Sequence, residues 1–382
     1  MEPITLHAYN GLTGQHIGRL PYTGLSGQDS ISDEGSMSAV IPDCKQLRLI
    51  SDLDPYLHDW GTIYAAHMGE RILHAGYLTG HSLNDDRSEL NLTIGGGFTI
   101  LGKRRTLAIA LRDSWTDGEV LIDEDHPPKA WRLTATGSYS DLIRTLIAET
   151  MKWGALPFIL PDIEGGAAHE RNWDGWQFTN VWDDISDIAD LEDGPEIRAD
   201  PVLDGSGSLR FRVRVGSPEI IDRSDWAWNR LAPGQRVTLM GTDCDGSILT
   251  GQHFMVGGKS ADKMLVAMSS GQTLTDRGWP LLQSSDSSHS TVTVLKTLQS
   301  YARAAILLGD ADQSTHGLRV GLEHDVHVGD HARLRVTNAN PAGNERDLLL
   351  GETIGLKITD LKWDAASEWL TLQTRPIVTE TK

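Results

Sequence analysis

The densest grouping of metal-ligating side chains in the sequence is His324, His327 and His331, with Glu323, Asp325 and Asp330 interleaved. Imidazole and carboxylate donors together suit zinc and related divalent ions, so metal-assisted hydrolysis is the chemistry to test here. The spacing argues against it. On one extended strand, residues 324 and 327 point to opposite faces and cannot chelate together without a bulge, and His331 lies past the Gly329-Asp330 turn. A helical H-x-x-x-H with its partner glutamate is absent, so the segment reads as solvated strand and turn. Thr242-Asp243-Cys244-Asp245-Gly246 looks like part of a calcium loop, but Gly241 stands where the first ligand belongs and no Glu follows at the twelfth position. It reads as a hairpin turn, and Asp310-Ala311-Asp312-Gln313 as a polar loop.

Nucleophilic and phosphate-binding patterns are equally thin. Gly95-Gly96-Gly97 follows a strand without G-x-G-x-x-G or a Walker lysine, which makes it a bulge or sharp strand corner. No G-x-S-x-G elbow occurs. Cys44 and Cys244 lie 200 positions apart in unlike contexts, so both are expected to be buried or half-buried thiols rather than a disulfide framework or zinc pair. With 53 acidic residues, carboxylate pairs for glycoside hydrolysis always exist, and nothing singles one out. Asp174 and Asp183 are the ones to change if a hydrolase is suspected. Twelve tryptophans against five phenylalanines is unusual, with clusters at Trp173, Trp176 and Trp182, at Trp226 and Trp228, and at Trp363 and Trp369. They fit either a sugar-stacking surface or, more commonly, core and interface packing. The expectation is therefore no catalytic residue, no cofactor and no metal.

The elements that must carry these residues are mostly strands. The 382 residues, 39% hydrophobic and 23% charged, suffice for several ordinary cores. Apolar runs are short, the longest being Ala304–Leu308, and the N-terminus has no basic or apolar leader, so a soluble protein made in the cytoplasm is expected. Residues 4 to 101 alternate with turn signals. Gly61–Ala66 and Arg71–Leu78 flank Met68-Gly69-Glu70 as a hairpin, and Leu90, Leu92 and Ile94 share one strand face. Residues 140–149 predict an amphipathic helix capped by Ser140 and ending near Gly154. Residues 181–191 predict a second helix capped by Asn180, with Trp182, Ile185, Ile188 and Ala189 as its stripe. Leu209–Gly216 alternates apolar with basic residues as a half-exposed strand. Met264–Met268 is a strand, and Thr293–Leu308 a third helix with Val294, Leu295, Leu298, Tyr301, Ala302 and Ala305 on one side. Residues 317 to 376 return to strands, two of them flanking Val328-Gly329-Asp330. The fold class is thus β-rich α+β and multi-domain: 1–105 a barrel-like domain, 106–225 an α/β insertion, 226–310 a mixed β/helix domain, and 311–382 a β region completing a second small antiparallel barrel. The net charge of −19 opposes tight nucleic-acid binding, though not a surface past which DNA slides.

In order along the chain, several segments resemble one family. They are Glu34–Pro42, Ile72–Leu78 with its central Gly76, Leu90–Gly96, Asn180–Ile185 through Gly194–Ile197, Leu274–Leu282 before a helix, and Val326–Arg335. Together they are similar to the minor tail proteins of long-tailed bacteriophages, especially of actinobacterial hosts, and to the trimeric hub at the tail tip. The resemblance implies a homotrimeric ring closing the tail tube, two barrel-like domains per chain forming a pseudo-sixfold collar, and a place in the virion at the tail tip. It further implies contacts with the distal tail protein ring, the tape-measure protein and other tail-tip or receptor-binding proteins. DNA would be met only in passage during genome ejection, with no stable membrane insertion. The C-terminal enzyme or receptor-binding extension of longer relatives is expected to be absent. The rival readings are a tail protein binding host cell-wall glycan through the tryptophans and a peptidoglycan hydrolase.

Overall fold

A computed structural model describes residues 2–377 apart from 44–46, 48–49, 51, 85–87, 113–121, 123–130, 164–168, 230–231, 233, 261–262, 311–313 and 336–352. The alternating N-terminal pattern folds into seven strands: β1 (Ile4–Asn10), β2 (His16–Leu20), β3 (Gly24–Ser30), β4 (Ser36–Pro42), β5 (Thr62–Met68), β6 (Arg71–Asn84) and β7 (Glu89–Gly95). They pair antiparallel in the order β2-β1-β5-β6-β7-β4-β3. The β5–β6 hairpin turns where the sequence places it, with Gly69 at φ 62°, a left-handed conformation that glycine adopts at no steric cost. Strand β5 is buried from Thr62 to His67 on both faces. Ile63 and Ala65 face one core, Tyr64 and Ala66 another, which explains a nearly continuous apolar run in an antiparallel strand.

Past Gly95 the chain leaves the sheet through a 3-10 segment, Gly97–Lys103, and builds β8 (Arg132–Gly137), α1 (Tyr139–Trp153), β9 (Phe158–Ile159), β10 (His169–Asp174), α2 (Val181–Ala189), β11 (Ile197–Leu203) and β12 (Leu209–Val215). The cap of α1 is Ser138, not Ser140. Ser138 Oγ accepts from Asp141 N at 3.1 Å while the Asp141 carboxylate accepts from Ser138 N, a reciprocal box that Ser140, buried inside the first turn, cannot make. Asn180 caps α2 as expected, accepting from Asp183 N at 2.8 Å. Leu142, Ile143, Leu146 and Ile147 of α1, Ile185 and Ile188 of α2, and Leu209, Phe211 and Val213 of β12 close over Ile63, Ala65 and Tyr77 as the second core.

The remaining elements are β13 (Trp226–Asn229), β14 (Val237–Cys244), β15 (Gln252–Ser260), β16 (Lys263–Ser270), β17 (Gln283–Asp286), α3 (Leu295–Gly309), β18 (Ser314–Gly321), β19 (His331–Arg335), β20 (Thr353–Asp364) and β21 (Trp369–Pro376). Strands β15 to β17 form a small sheet under α3, packed through Met255, Ala267, Leu298, Tyr301 and Ala302. The others join the N-terminal strands. Asp360–Asp364 of β20 pair antiparallel with Ser26–Ser30 of β3, and Ser30 donates to Asp360 at 2.6 Å across the seam. Both chain ends therefore share one thirteen-stranded sheet and one core, with Leu6, Ile41 and Leu92 packed together with Leu318, Leu356 and Leu372. Its path is open among the described residues, from β14 to β2, and does not close into a barrel.

Three expectations need correction. No strand spans 322–330, which is loop and turn, because its backbone groups bond to side chains and to neighbouring elements rather than to a ladder. Thr242–Gly246 is not a hairpin turn. β14 runs on to Cys244 opposite β18, and Asp245 opens a 3-10 turn by accepting from Ser247 N at 2.8 Å. Val294 and Leu295 are exposed and do not belong to the packed stripe of α3. Cys44 and the Cys244 side chain lie outside the described residues.

The glycine triplet is a strand corner, as expected, and its cause is backbone crossing. A Cβ on Gly76 would sit 1.5 Å from Gly95 O, and one on Gly96 would sit 1.5 Å from Glu34 O. Gly76→Ala is expected to lose about 3 kcal/mol in urea unfolding, because backbone rather than a flexible side chain blocks the methyl. Gly80→Ala in the same strand, where nothing lies within 4 Å, is expected to be near neutral.

Candidate functional site

The structure separates the residues that might have formed a metal centre. His324 sits edge-on to Trp226 and Trp228 (ring centroids 5.7 and 6.2 Å), His327 lies 3.8 Å from Asp325, and His331 lies 3.7 Å from Glu219. Burial pushes the pKa of His324 and of His331 down. Asp330 is fully buried and accepts from Arg223 N, Trp226 Nε1 and His327 N at 3.0 to 3.1 Å, so it pins the loop. Among the described residues, no group of three or more His, Cys, Asp or Glu is arranged to hold a metal ion.

Each cluster of tryptophans has at least one ring in a core. Trp173, Trp228 and Trp363 are buried, and Trp182 stacks on Phe98 at 5.0 Å. Arg132, Arg223 and Arg236 lie over Trp176, Trp226 and Trp369 at 5.7, 3.9 and 4.7 Å. Asp174 accepts from Arg132 at 2.7 Å, and Asp183 accepts from Asn180 Nδ2 at 2.6 Å in the first turn of α2. Asp174 also lines a pocket with Glu170, Asp184 and Asp187.

What the fold does bring together is a junction of charges that no local pattern marks. A pocket of about 480 Å³ lies where β3, β6, β11 and the 322–330 loop meet. Arg71 of β6 pairs with Asp325 at 2.9 Å and donates to the carbonyls of His324 and Val326. Arg198 of β11 pairs with Asp200 and Asp222 at 2.5 Å and donates to Val328 O at 2.6 Å. Burial would lower the Arg198 pKa, but the two carboxylates outweigh it and keep the guanidinium charged. Buried His74 bonds Asp29 at 2.7 Å. Burial opposes its protonated form, while Asp29 and the Gly95 carbonyl raise its pKa overall. Beside the junction, Lys357 of β20 is 2% exposed and reaches Glu196 at 2.6 Å and Glu219 at 2.8 Å. Glu196 also accepts from Ile220 N. Arg71, Arg198 and Lys357 are each engaged by carboxylates, and these pairs lock segments distant in sequence.

In sequence, Arg71, Arg198 and Lys357 look like solvated strand residues, since a single cation in a strand is ordinary. Only their partners, 130 to 254 positions away (Val328 for Arg198, Glu196 for Lys357, Asp325 for Arg71), would have distinguished them.

Two measurements probe this chemistry. Lys357→Met is expected to cost about 3–5 kcal/mol in chemical unfolding, because two carboxylates then lose their buried countercharge. Asp184 of α2 is buried beneath hydroxyl donors Thr106 and Thr179, and burial pushes its pKa up to about 6. A raised carboxylate pKa means that the folded chain favours the protonated form, so this group's contribution to stability rises as pH falls through about 6. Asp184→Asn should therefore gain on wild type by on the order of 2 kcal/mol at pH 8, the gain shrinking toward pH 4 in parallel urea titrations.

No protein-family model matches the chain, and no curated protein sequence matches it. Solved structures do. A tail protein from Neisseria meningitidis aligns over 98% of this chain and 97% of its own, with a TM-score of 0.53 at 13% identity. A 43 kDa tail protein of prophage MuSo2 from Shewanella oneidensis aligns over 98% and 96%, with a TM-score of 0.54 at 10% identity. A prophage tail protein from Listeria monocytogenes aligns over 99% and 95%, with a TM-score of 0.50 at 10% identity. Across nearly its whole length, this chain has the fold of phage tail proteins.

Proposed function

We propose that the chain is a structural virion protein of a long-tailed phage: the tail-tip hub, a homotrimeric ring that closes the tail tube and opens for genome passage. The observation that carries this reading is the end-to-end likeness to phage tail proteins, in which insertions and both chain ends align as one unit. The ordered sequence motifs from Glu34 to Arg335 support the finer position at the tip. In this reading, residues 1–105 and 311–382 supply two barrel-like halves of each protomer around the insertions 106–225 and 226–310. The ring sits on the distal tail protein, contacts the tape-measure protein, and carries other tip proteins.

The engaged carboxylates and packed tryptophans agree with a non-enzymatic part. The charge of −19 suits a wall past which DNA moves without sticking. Immunogold labelling of virions with antibody against the purified chain is expected to mark the tail tip alone. Label distributed along the tube, or virions that lack the chain, would overturn the proposal.

A further inference from the structure

One unit of the chain differs from the rest in both charge and exposed surface. Residues 246–309, which hold β15, β16, β17 and α3, contain three acidic residues, Asp262, Asp276 and Asp286, against five basic ones, and Asp245 and Asp310 at its two ends, bonded to Ser247 N and to Thr273 N and Leu274 N, bring the unit to neutrality. The other 318 residues carry fifty acidic against twenty-nine basic. The same stretch, a sixth of the chain, carries ten of the nineteen large apolar side chains that stand exposed among the described residues. Chance placement does not explain both, since an exposed unit needs charge for solubility more than a buried one does.

The apolar residues form a surface with a definite geometry. Along β16 the chain alternates: Leu265 and Ala267 pack toward α3, whereas Met264, Val266 and Met268 point away and are 58%, 50% and 52% exposed. Antiparallel register places Val256 opposite Val266, Phe254 opposite Met268 and Lys259 opposite Met264 on the same face. Among the described residues β16 pairs only with β15, so the strand also presents one open edge. Such an edge, apolar and free of carboxylates, is one that folded proteins keep covered.

We infer that this face of β15 and β16 is where one copy of the chain docks on the acidic body of the next. The occupant follows from charge. Two bodies of net charge −19 repel wherever their acidic surfaces meet, and this unit, with five basic and five acidic residues once Asp245 and Asp310 are included, is the part that meets a neighbour's acidic body without that repulsion. Joining unlike surfaces is a heterologous contact, which closes into a ring when the rotation permits. The inference rests on the proposal that the chain self-assembles, and it names the surface.

The test uses full-length protein in sedimentation velocity from about 1 to 50 µM. Wild type is expected to form a closed oligomer. Val266→Glu with Met268→Glu, both on the exposed face, should sediment as a folded monomer with at least tenfold weaker association. Lys259→Glu alone should weaken association severalfold at low salt and less at high salt. A photo-crosslinker at position 266 should capture a second copy at a residue outside 246–309.

Assembly of both variants like wild type would overturn the surface and leave self-assembly standing, as would crosslinks confined to 246–309. A wild-type chain that stays monomeric throughout and is absent from tails would overturn both readings. If the double variant proves unfolded by circular dichroism, Lys259→Glu and the crosslink decide the matter.

Discussion

Ile63 and Tyr64 are neighbours in sequence and lie in different cores. The β5–β6 hairpin that carries them is covered on one face by the strands of both chain ends and on the other by α1, α2 and β12. Its two-sided burial constrains everything around it. Side chains must be small where backbones cross, which is why Ala65, Ala66, Ala75 and Gly76 occupy its middle and why Gly95 and Gly96 lie against it. The larger rings find polar partners for their hydroxyls: Tyr64 donates to Tyr56 O at 2.7 Å and Tyr77 to Gly11 O at 3.1 Å. Burial raises both phenol pKa values, so these groups stay neutral donors.

With the hairpin as a shared wall, the layers on either side are held in register by buried charge. Arg71, on the hairpin itself, grips the 322–330 loop, while Arg198 and Lys357 tie the insertion to that loop and to β20. Buried ion pairs contribute little net stability compared with apolar packing of the same shape, but each is costly to break. Their effect is specificity of docking. A slipped strand would leave a carboxylate or guanidinium alone in the interior. His74 adds a pH-dependent element: its raised pKa means that the stability it contributes through Asp29 is full at acid pH and is lost as pH rises through its folded value.

The same pairing occupies four of the carboxylates that line the pocket at this junction. A catalytic carboxylate needs a reacting group within reach and a pKa matched to its task. Asp29 faces His74, and Asp200, Asp222 and Asp325 face arginine, while Asp330 nearby is surrounded by three donors. The fold that this chain shares with phage tail proteins is a scaffold, and its use is decided by the surfaces the chain presents.

Much of this was legible in the chain. Period-2 alternation placed the N-terminal strands, Gly69 marked its turn, the 3.6-residue stripe and Asn180 delimited α2, and the triple glycine signalled a corner, because each is decided by local sterics and by which face must be apolar. Ser138 with Asp141 three residues on carries the capping-box spacing at the start of α1. Tertiary structure alone decided that β20 pairs with β3 across more than 300 residues, that Lys357 is interior, and that Met264, Val266 and Met268 face outward. These outcomes depend on partners distant in sequence, and a strand's alternation says that it has two faces without saying which one the rest of the chain covers.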